Sequence, residues 1–81
     1  MWSKGTIGIP DTMDKTKQKV CHYCIKHYEE PSQYGINEGR ISKLTIKIDN
    51  QVVANYDRGW DIEPTCKEAE MALAILTKKY N

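Results

Sequence analysis

The stretch Ile41-Ser42-Lys43-Leu44-Thr45-Ile46-Lys47-Ile48-Asp49-Asn50-Gln51-Val52-Val53-Ala54-Asn55-Tyr56-Asp57-Arg58 decides the fold. It holds two β-branched, alternating runs, Ile41–Ile48 and 51–58, parted by Asp49 and Asn50. Alternation at period two puts one set of side chains on a buried face and the other in water. Asp and Asn tolerate positive φ and suit a two-residue hairpin turn. An uninterrupted register across that turn sets Ile48 against Gln51, Ile46 against Val53, Leu44 against Asn55 and Ser42 against Asp57. The intervening pairs are Lys47 with Val52, Thr45 with Ala54, Lys43 with Tyr56 and Ile41 with Arg58. Leu44, Ile46, Ile48 and Val53 then define the core side, and Lys43, Lys47, Tyr56 and Arg58 share the other face.

Upstream, residues 20–30 alternate with Cys21, Tyr23 and Ile25 on one face and His22, Lys26 and Tyr28 on the other, the pattern of a half-buried strand ended by Pro31. Residues 2–9 mix β-branched residues with Gly5 and Gly8 and close at Pro10 and Asp11, as an edge strand does. Residues 11–19 read as a polar connector. Residues 32–39, with Gly35, Asn37 and Gly39, read as a loop whose Tyr34 and Ile36 fold back onto the body.

Downstream, Gly59, Trp60 and Asp61 break the strand, and Pro64 and Thr65 lead into a helix over residues 66–80. Thr65 and Glu68 have the spacing of a capping box. Cys66, Ala69, Leu73, Leu76 and Tyr80 form an apolar stripe, widened by Ala72 and Met71. Glu68 and Glu70 near the start and Lys78 and Lys79 near the end complement the helix dipole. The reading is a single α+β domain over residues 1–81: an antiparallel sheet of about four strands packed against one C-terminal helix, in the order β-β-β-β-α.

A chain of 81 residues buries about 60% of its unfolded surface, so its core is small and a deep cleft between two layers is not expected. Twelve Lys and Arg against eleven Asp and Glu give a net charge of +1, so attraction to nucleic acid or to an anionic membrane requires charges gathered on one face. No run of 18 apolar residues and no basic-then-apolar leader pattern occurs. That argues against membrane association and points to the cytoplasm.

The three cysteines, Cys21, Cys24 and Cys66, suit reduced thiols rather than a disulfide framework. Cys21-His22-Tyr23-Cys24 spells C-x-x-C, and His27 and Cys66 complete four nominal zinc ligands. Residues three apart on a strand, however, point to opposite faces, and neither a turn residue nor a second C-x-x-C pair is present. No metal, haem or other cofactor is expected. His22 and His27 lack a sequence-local partner for a triad, which argues against an enzyme.

Tyr34-Gly35-Ile36, the run from Gly39 to Leu44, the run from Asn55 to Asp61, and Trp2 with Gly5 together resemble a family of small domains of unknown function. That family belongs to Clostridium-like and Bacillus-like bacteria and to their phages and conjugative elements. The resemblance spans nearly the whole chain. It implies no activity and no site residue, and its setting implies a phage or mobile-element accessory protein.

Two surfaces remain as candidate sites. Lys26, Tyr28, Lys43, Lys47, Tyr56, Arg58 and Trp60 form a possible binding surface on or beside the outer sheet face. Cations interleaved with aromatics there suit single-stranded nucleic acid, while a plain solvated face would carry the same residue types. Trp2 and Trp60 are expected in the core or at its rim, and an exposed Trp60 beside Arg58 would suit a protein interface. Ser42, Asn55 and Asp57 form a polar cluster on the core-side parity, which either binds a polar ligand or satisfies nearby backbone. The leading expectation is a non-enzymatic module that binds an unidentified protein or a second copy of itself through an edge strand, with single-stranded nucleic acid as the alternative.

Overall fold

Asp49 and Asn50 turn the chain with φ of 52° and 63°, the two consecutive positive values that a tight two-residue hairpin requires. The computed structural model describes residues 1–11, 13, 14 and 16–81, so Thr12 and Lys15 of the expected connector lie outside the described residues. The strands are β1 (Trp2–Pro10), β2 (Gln18–His27), β3 (Ile41–Ile48), β4 (Gln51–Asp57) and β5 (Trp60–Ile62). They form one antiparallel meander in the order β1-β2-β3-β4-β5. The helix α1 (Lys67–Tyr80) covers one face, over β1, β2 and β3. The α+β class is as the sequence reads, with five strands rather than four. The residues expected to break the strand, Trp60 and Asp61, instead return as β5, after a turn in which Arg58 has φ 57°.

The core lies between sheet and helix. Ile9, Cys21, Ile25, Leu44, Ile46 and Ala54 point toward α1, and Ala69, Ala72 and Leu76 meet them from the helix stripe. Met71 was expected to widen that stripe; it is exposed, because it falls on the solvent side of the turn that buries Ala69 and Ala72. Tyr23 reaches the helix as well, its hydroxyl 3.5 Å from that of Tyr80. The Tyr23 ring lies over Gly5 on the neighbouring strand, where any Cβ would collide with it, so the glycine makes room for a cross-strand aromatic.

The hairpin departs from the uninterrupted register. Ile48 faces Gln51 and Lys47 faces Val52, but Ile46 faces Ala54, Thr45 faces Asn55, Leu44 faces Tyr56 and Lys43 faces Asp57. Val53 is therefore the extra residue of a β-bulge, and the β4 positions after it, Ala54, Asn55, Tyr56 and Asp57, change face relative to the sequence reading. Tyr56 moves from the outer face to the core side and is 7% exposed, donating its hydroxyl to the Tyr34 carbonyl at 2.8 Å. The physical reason is burial, since the bulge trades Asn55 and Asp57 for Ala54 and Tyr56 beneath the helix layer. A second bulge, at Ser42, turns Ile41 toward the helix side, opposite His27, which the β2 parity already places there.

Trp2 also departs from expectation, since β1 parity places it on the outer face, 54% exposed. Thr65 makes no capping box. Cys66 is the N-cap without a side-chain cap bond, the Thr65 N–H goes to the Val53 carbonyl, and Glu68 is buried against Lys19 at 3.0 Å. A long-range cation thus takes the carboxylate that local spacing assigned to the cap.

The loop between β2 and β3 is closed at its base by Tyr28 N–H to Arg40 O and Ser32 N–H to Gly39 O, both 3.0 Å. Ile36 folds back and is buried, whereas the Tyr34 ring is exposed, because it is the Tyr34 carbonyl that engages the body. Asn81 fastens this loop to the end of the helix. Its side-chain oxygen accepts from Ile41 N–H at 3.1 Å, its amide donates to Ile36 O at 2.9 Å, and its backbone N–H caps Thr77 O at 3.0 Å. A Cβ on Gly39 would occupy the space of that carboxamide.

Candidate functional site

Among the described residues no helix lies over the outer face of the sheet, and the strand parity fixes which side chains occupy it. Among the described residues on the outward parity of β1, β2 and β3, the charged side chains are Lys4, Lys26, Lys43 and Lys47, with His22 beside them and no carboxylate. The acids Asp57 and Asp61 lie along β4 and β5, where Asn55 receives Thr45 Oγ1–H at 2.8 Å and donates to Asp61 at 3.1 Å. A net charge of only +1 is therefore unevenly spread, with a cationic field over three of the five strands.

Two exposed rings share that end of the face. The Lys26 ammonium lies 5.8 Å from the Trp2 ring centre and 5.6 Å from that of Tyr28, within the range of cation–π attraction. Hydrogen bonding to Lys26 is the largest cause that lowers the Tyr28 phenol below the usual tyrosine range, followed by the Lys26 charge, the Ser42 hydroxyl and the Arg58 charge. Next to this trio is a depression of about 230 Å³ lined by Lys26, Tyr28, Ser32, Tyr34, Ser42, Lys43 and Arg58. It forms where β2 ends, β3 begins with its bulge, and β4 turns toward β5.

Of the expected binding surface, Lys26, Tyr28, Lys43 and Arg58 come together at this depression, and Lys47 lies further along the same face. Tyr56 does not belong to it, being buried on the opposite side by the Val53 bulge. Trp60 packs edge-on against Tyr56, with centroids 5.1 Å apart and planes at 77°, and remains 37% exposed, so the ring lies at the rim on the Tyr56 side of the sheet. Trp2, expected inside, takes the place of Tyr56 as an exposed ring.

The polar cluster is dispersed. Ser42 Oγ donates to Lys26 O at 3.3 Å from within its bulge, while Asn55 and Asp57 face outward, and Asp57 approaches Lys43 at 3.8 Å. Each member thus has a local partner, and Ser42 is separated from the outward-facing Asn55 and Asp57.

Cys21 is buried toward the helix and Cys24 is on the outer parity, so the C-x-x-C sulfurs point to opposite faces and cannot share one metal ion. Burial is the first cause that raises the Cys21 thiol above its ordinary range, with the charges of Cys66 and Glu68 adding to it and that of Lys19 opposing. No group of three or more His, Cys, Asp or Glu side chains among the described residues is placed to hold a metal ion.

One pairing had no sequence signal, namely His27 Nε2 and Ser3 Oγ at 3.1 Å, which the β1–β2 register brings together. Burial is the main cause lowering the His27 imidazole below its ordinary value, and the positive charges of the Met1 amino group and Arg40 add to it. The Tyr80 ring lies 4.9 Å from the imidazole, so the pair packs against the end of the helix.

Fold and face together define a small two-layer α+β domain with one covered and one uncovered sheet surface. The chain belongs to the family described as a domain of unknown function, DUF7678, whose model matches residues 1–81. No curated protein and no solved structure matches it. Among the described residues, no helix is long and apolar enough to cross a membrane.

Proposed function

We propose that this protein is a non-catalytic binding module that holds single-stranded nucleic acid on the uncovered face of its sheet, in the cytoplasm and in the phage or mobile-element setting that the resemblance implies. One observation carries the reading. Lys4, Lys26, Lys43 and Lys47 share a face with the exposed rings of Trp2 and Tyr28, while the helix occupies the other face. Lysines along a sheet neutralise successive phosphates, and rings on the same surface stack bases without reading their sequence. Each phosphate neutralised on a single strand contributes about −0.7 to the slope of log affinity against log salt, so three to four lysines give a slope of about −2 to −3.

The test is fluorescence anisotropy of a labelled oligothymidylate at low salt, followed by a salt titration. Binding with that slope, weakened by about 1–3 kcal/mol in Trp2→Ala, supports the reading. Absence of binding at tens of micromolar protein overturns it.

A second reading rests on a separate observation, the nine-residue strand β1 at the sheet edge, whose one strand neighbour among the described residues is β2. Unpaired backbone along an edge can add a strand from a protein partner or a second copy. Light scattering that reports a salt-resistant dimer favours this alternative, and a monomer at hundreds of micromolar sets self-pairing aside.

A further inference from the structure

We infer that the depression lined by Lys26, Tyr28, Ser42, Lys43 and Arg58 is a subsite for a terminal phosphate monoester of a nucleotide; this rests on the strand-binding reading above and gives it an end-specific anchor. The charge balance selects the ligand. Three cations line the depression, and among the described residues the carboxylate that forms an ion pair with one of them is Asp57, 3.8 Å from Lys43 and itself largely in solvent. Among the described residues neither Lys26 nor Arg58 is ion-paired. The net local charge is therefore +2, which a monoester, carrying nearly two negative charges at neutral pH, balances better than the single charge of a phosphodiester within a strand.

The position is built rather than fortuitous. Arg58 is held at φ 57°, a left-handed conformation that arginine rarely adopts, and its backbone N–H is tied to the Ser42 carbonyl at 3.1 Å. Glycine or asparagine would occupy that backbone position with less strain. That turn sets Arg58 on the lining of the depression. Ser42, the bulge residue of β3, contributes to the wall, and its hydroxyl donates to the Lys26 carbonyl at 3.3 Å. The Tyr28 hydroxyl stands among Lys26, Ser42 and Arg58, and the neighbouring Tyr34 ring is exposed where the base of an end nucleotide would lie. At about 230 Å³ the space is below the usual range for whole small-molecule ligands, which suits one end of a longer one.

The experiment compares four probes by anisotropy or competition: one oligothymidylate with a 5′-phosphate, the same strand with a 3′-phosphate, the same strand with hydroxyl ends, and thymidine monophosphate. A terminal phosphate at one end is expected to tighten binding about tenfold over the hydroxyl-ended strand. Arg58→Asn keeps a residue that accepts the left-handed backbone and is expected to bring that ratio close to one, with Lys26→Gln doing the same and circular dichroism verifying both folds. Titration of thymidine monophosphate should shift the amide resonances of Ser42, Lys43 and Arg58. Equal affinity for phosphate-ended and hydroxyl-ended strands overturns the subsite while leaving the strand-binding face standing. Shifts with thymidine monophosphate but no strand binding support the subsite and overturn the strand reading.

Discussion

Replacing Tyr56 tests the bulge that separates the two faces of the hairpin. In an uninterrupted register its ring would stand in solvent, and Tyr56→Ala would change stability by no more than about 0.5 kcal/mol. In the bulged register the ring is 7% exposed, opposite Leu44 and against Trp60, and its hydroxyl holds the Tyr34 carbonyl. Truncating a buried aromatic to alanine costs about 3–5 kcal/mol, and removing only a buried hydroxyl's hydrogen bond costs about 1 kcal/mol. For a chain of this length the unfolding entropy near Tm is about 170 cal/mol/K. Those costs therefore become a fall in Tm of about 6 °C for Tyr56→Phe and about 18 °C or more for Tyr56→Ala. The total stability of such a domain is about 4–12 kcal/mol, so the alanine variant is expected close to unfolding at 37 °C. Differential scanning calorimetry of the two variants beside Asn55→Ala, an outer-face control, gives the comparison. If Tyr56→Ala melts within 3 °C of the parent, the ring is not in the core and the bulge is absent.

Ile46→Lys places a charge at a fully buried position and is expected to unfold the protein, whereas Thr45→Lys on the outer parity should melt near the parent temperature; equal losses would show that β3 is out of register. His27 has its native pKa held below 6.5 by burial first and then by the Met1 and Arg40 charges. The unfolded chain then takes up a proton near pH 6.5 that the native state takes up only at lower pH, so stability is full above that value and falls as pH drops through it. His27→Gln should flatten Tm between pH 7.5 and 5.5, and an unchanged slope would refute the assignment. Cys24 should react with iodoacetamide in the native state while Cys21, buried and with its thiol raised, reacts only in denaturant; peptide mass mapping that found both modified at equal rates would place Cys21 outside the core.

The central hairpin and the helix were legible because both rest on short-range pattern. Asp49 and Asn50 announce a turn, and Ala69, Ala72 and Leu76 repeat at helical spacing. The bulges were not, because a bulge changes the phase of a strand without leaving a residue that marks it. A signal was nonetheless present after Val53, where the even positions Ala54 and Tyr56 are apolar and the odd positions Asn55 and Asp57 are polar, the reverse of the parity that Val53 implied. Trp2 was misplaced by an argument from size, which takes no account of an edge strand whose face parity is set by its neighbour β2. Glu68 was misplaced by an argument from spacing, since nothing near it in the chain announces Lys19. Lys26, Lys43 and Lys47 share one surface by the alternation of β2 and β3, which is legible in the sequence, and Tyr28 follows β2 with the same parity. The depression among them was not legible, being assembled from four segments through a loop closure and a left-handed arginine.

The carboxamide of Asn81 gives the molecule a mechanical property that neither layer has alone. It binds Ile36 in the loop and Ile41 at the root of β3, and its own backbone closes the last turn of the helix. The wall of the depression on the open side is consequently suspended from the element that packs on the far side. The final helical turn cannot unwind without releasing the loop, and the loop cannot swing away without uncapping the turn. The two should exchange their amide hydrogens as one cooperative unit, so that a ligand seated beside Tyr34 would slow exchange at Thr77 and Asn81 through a sheet it never crosses.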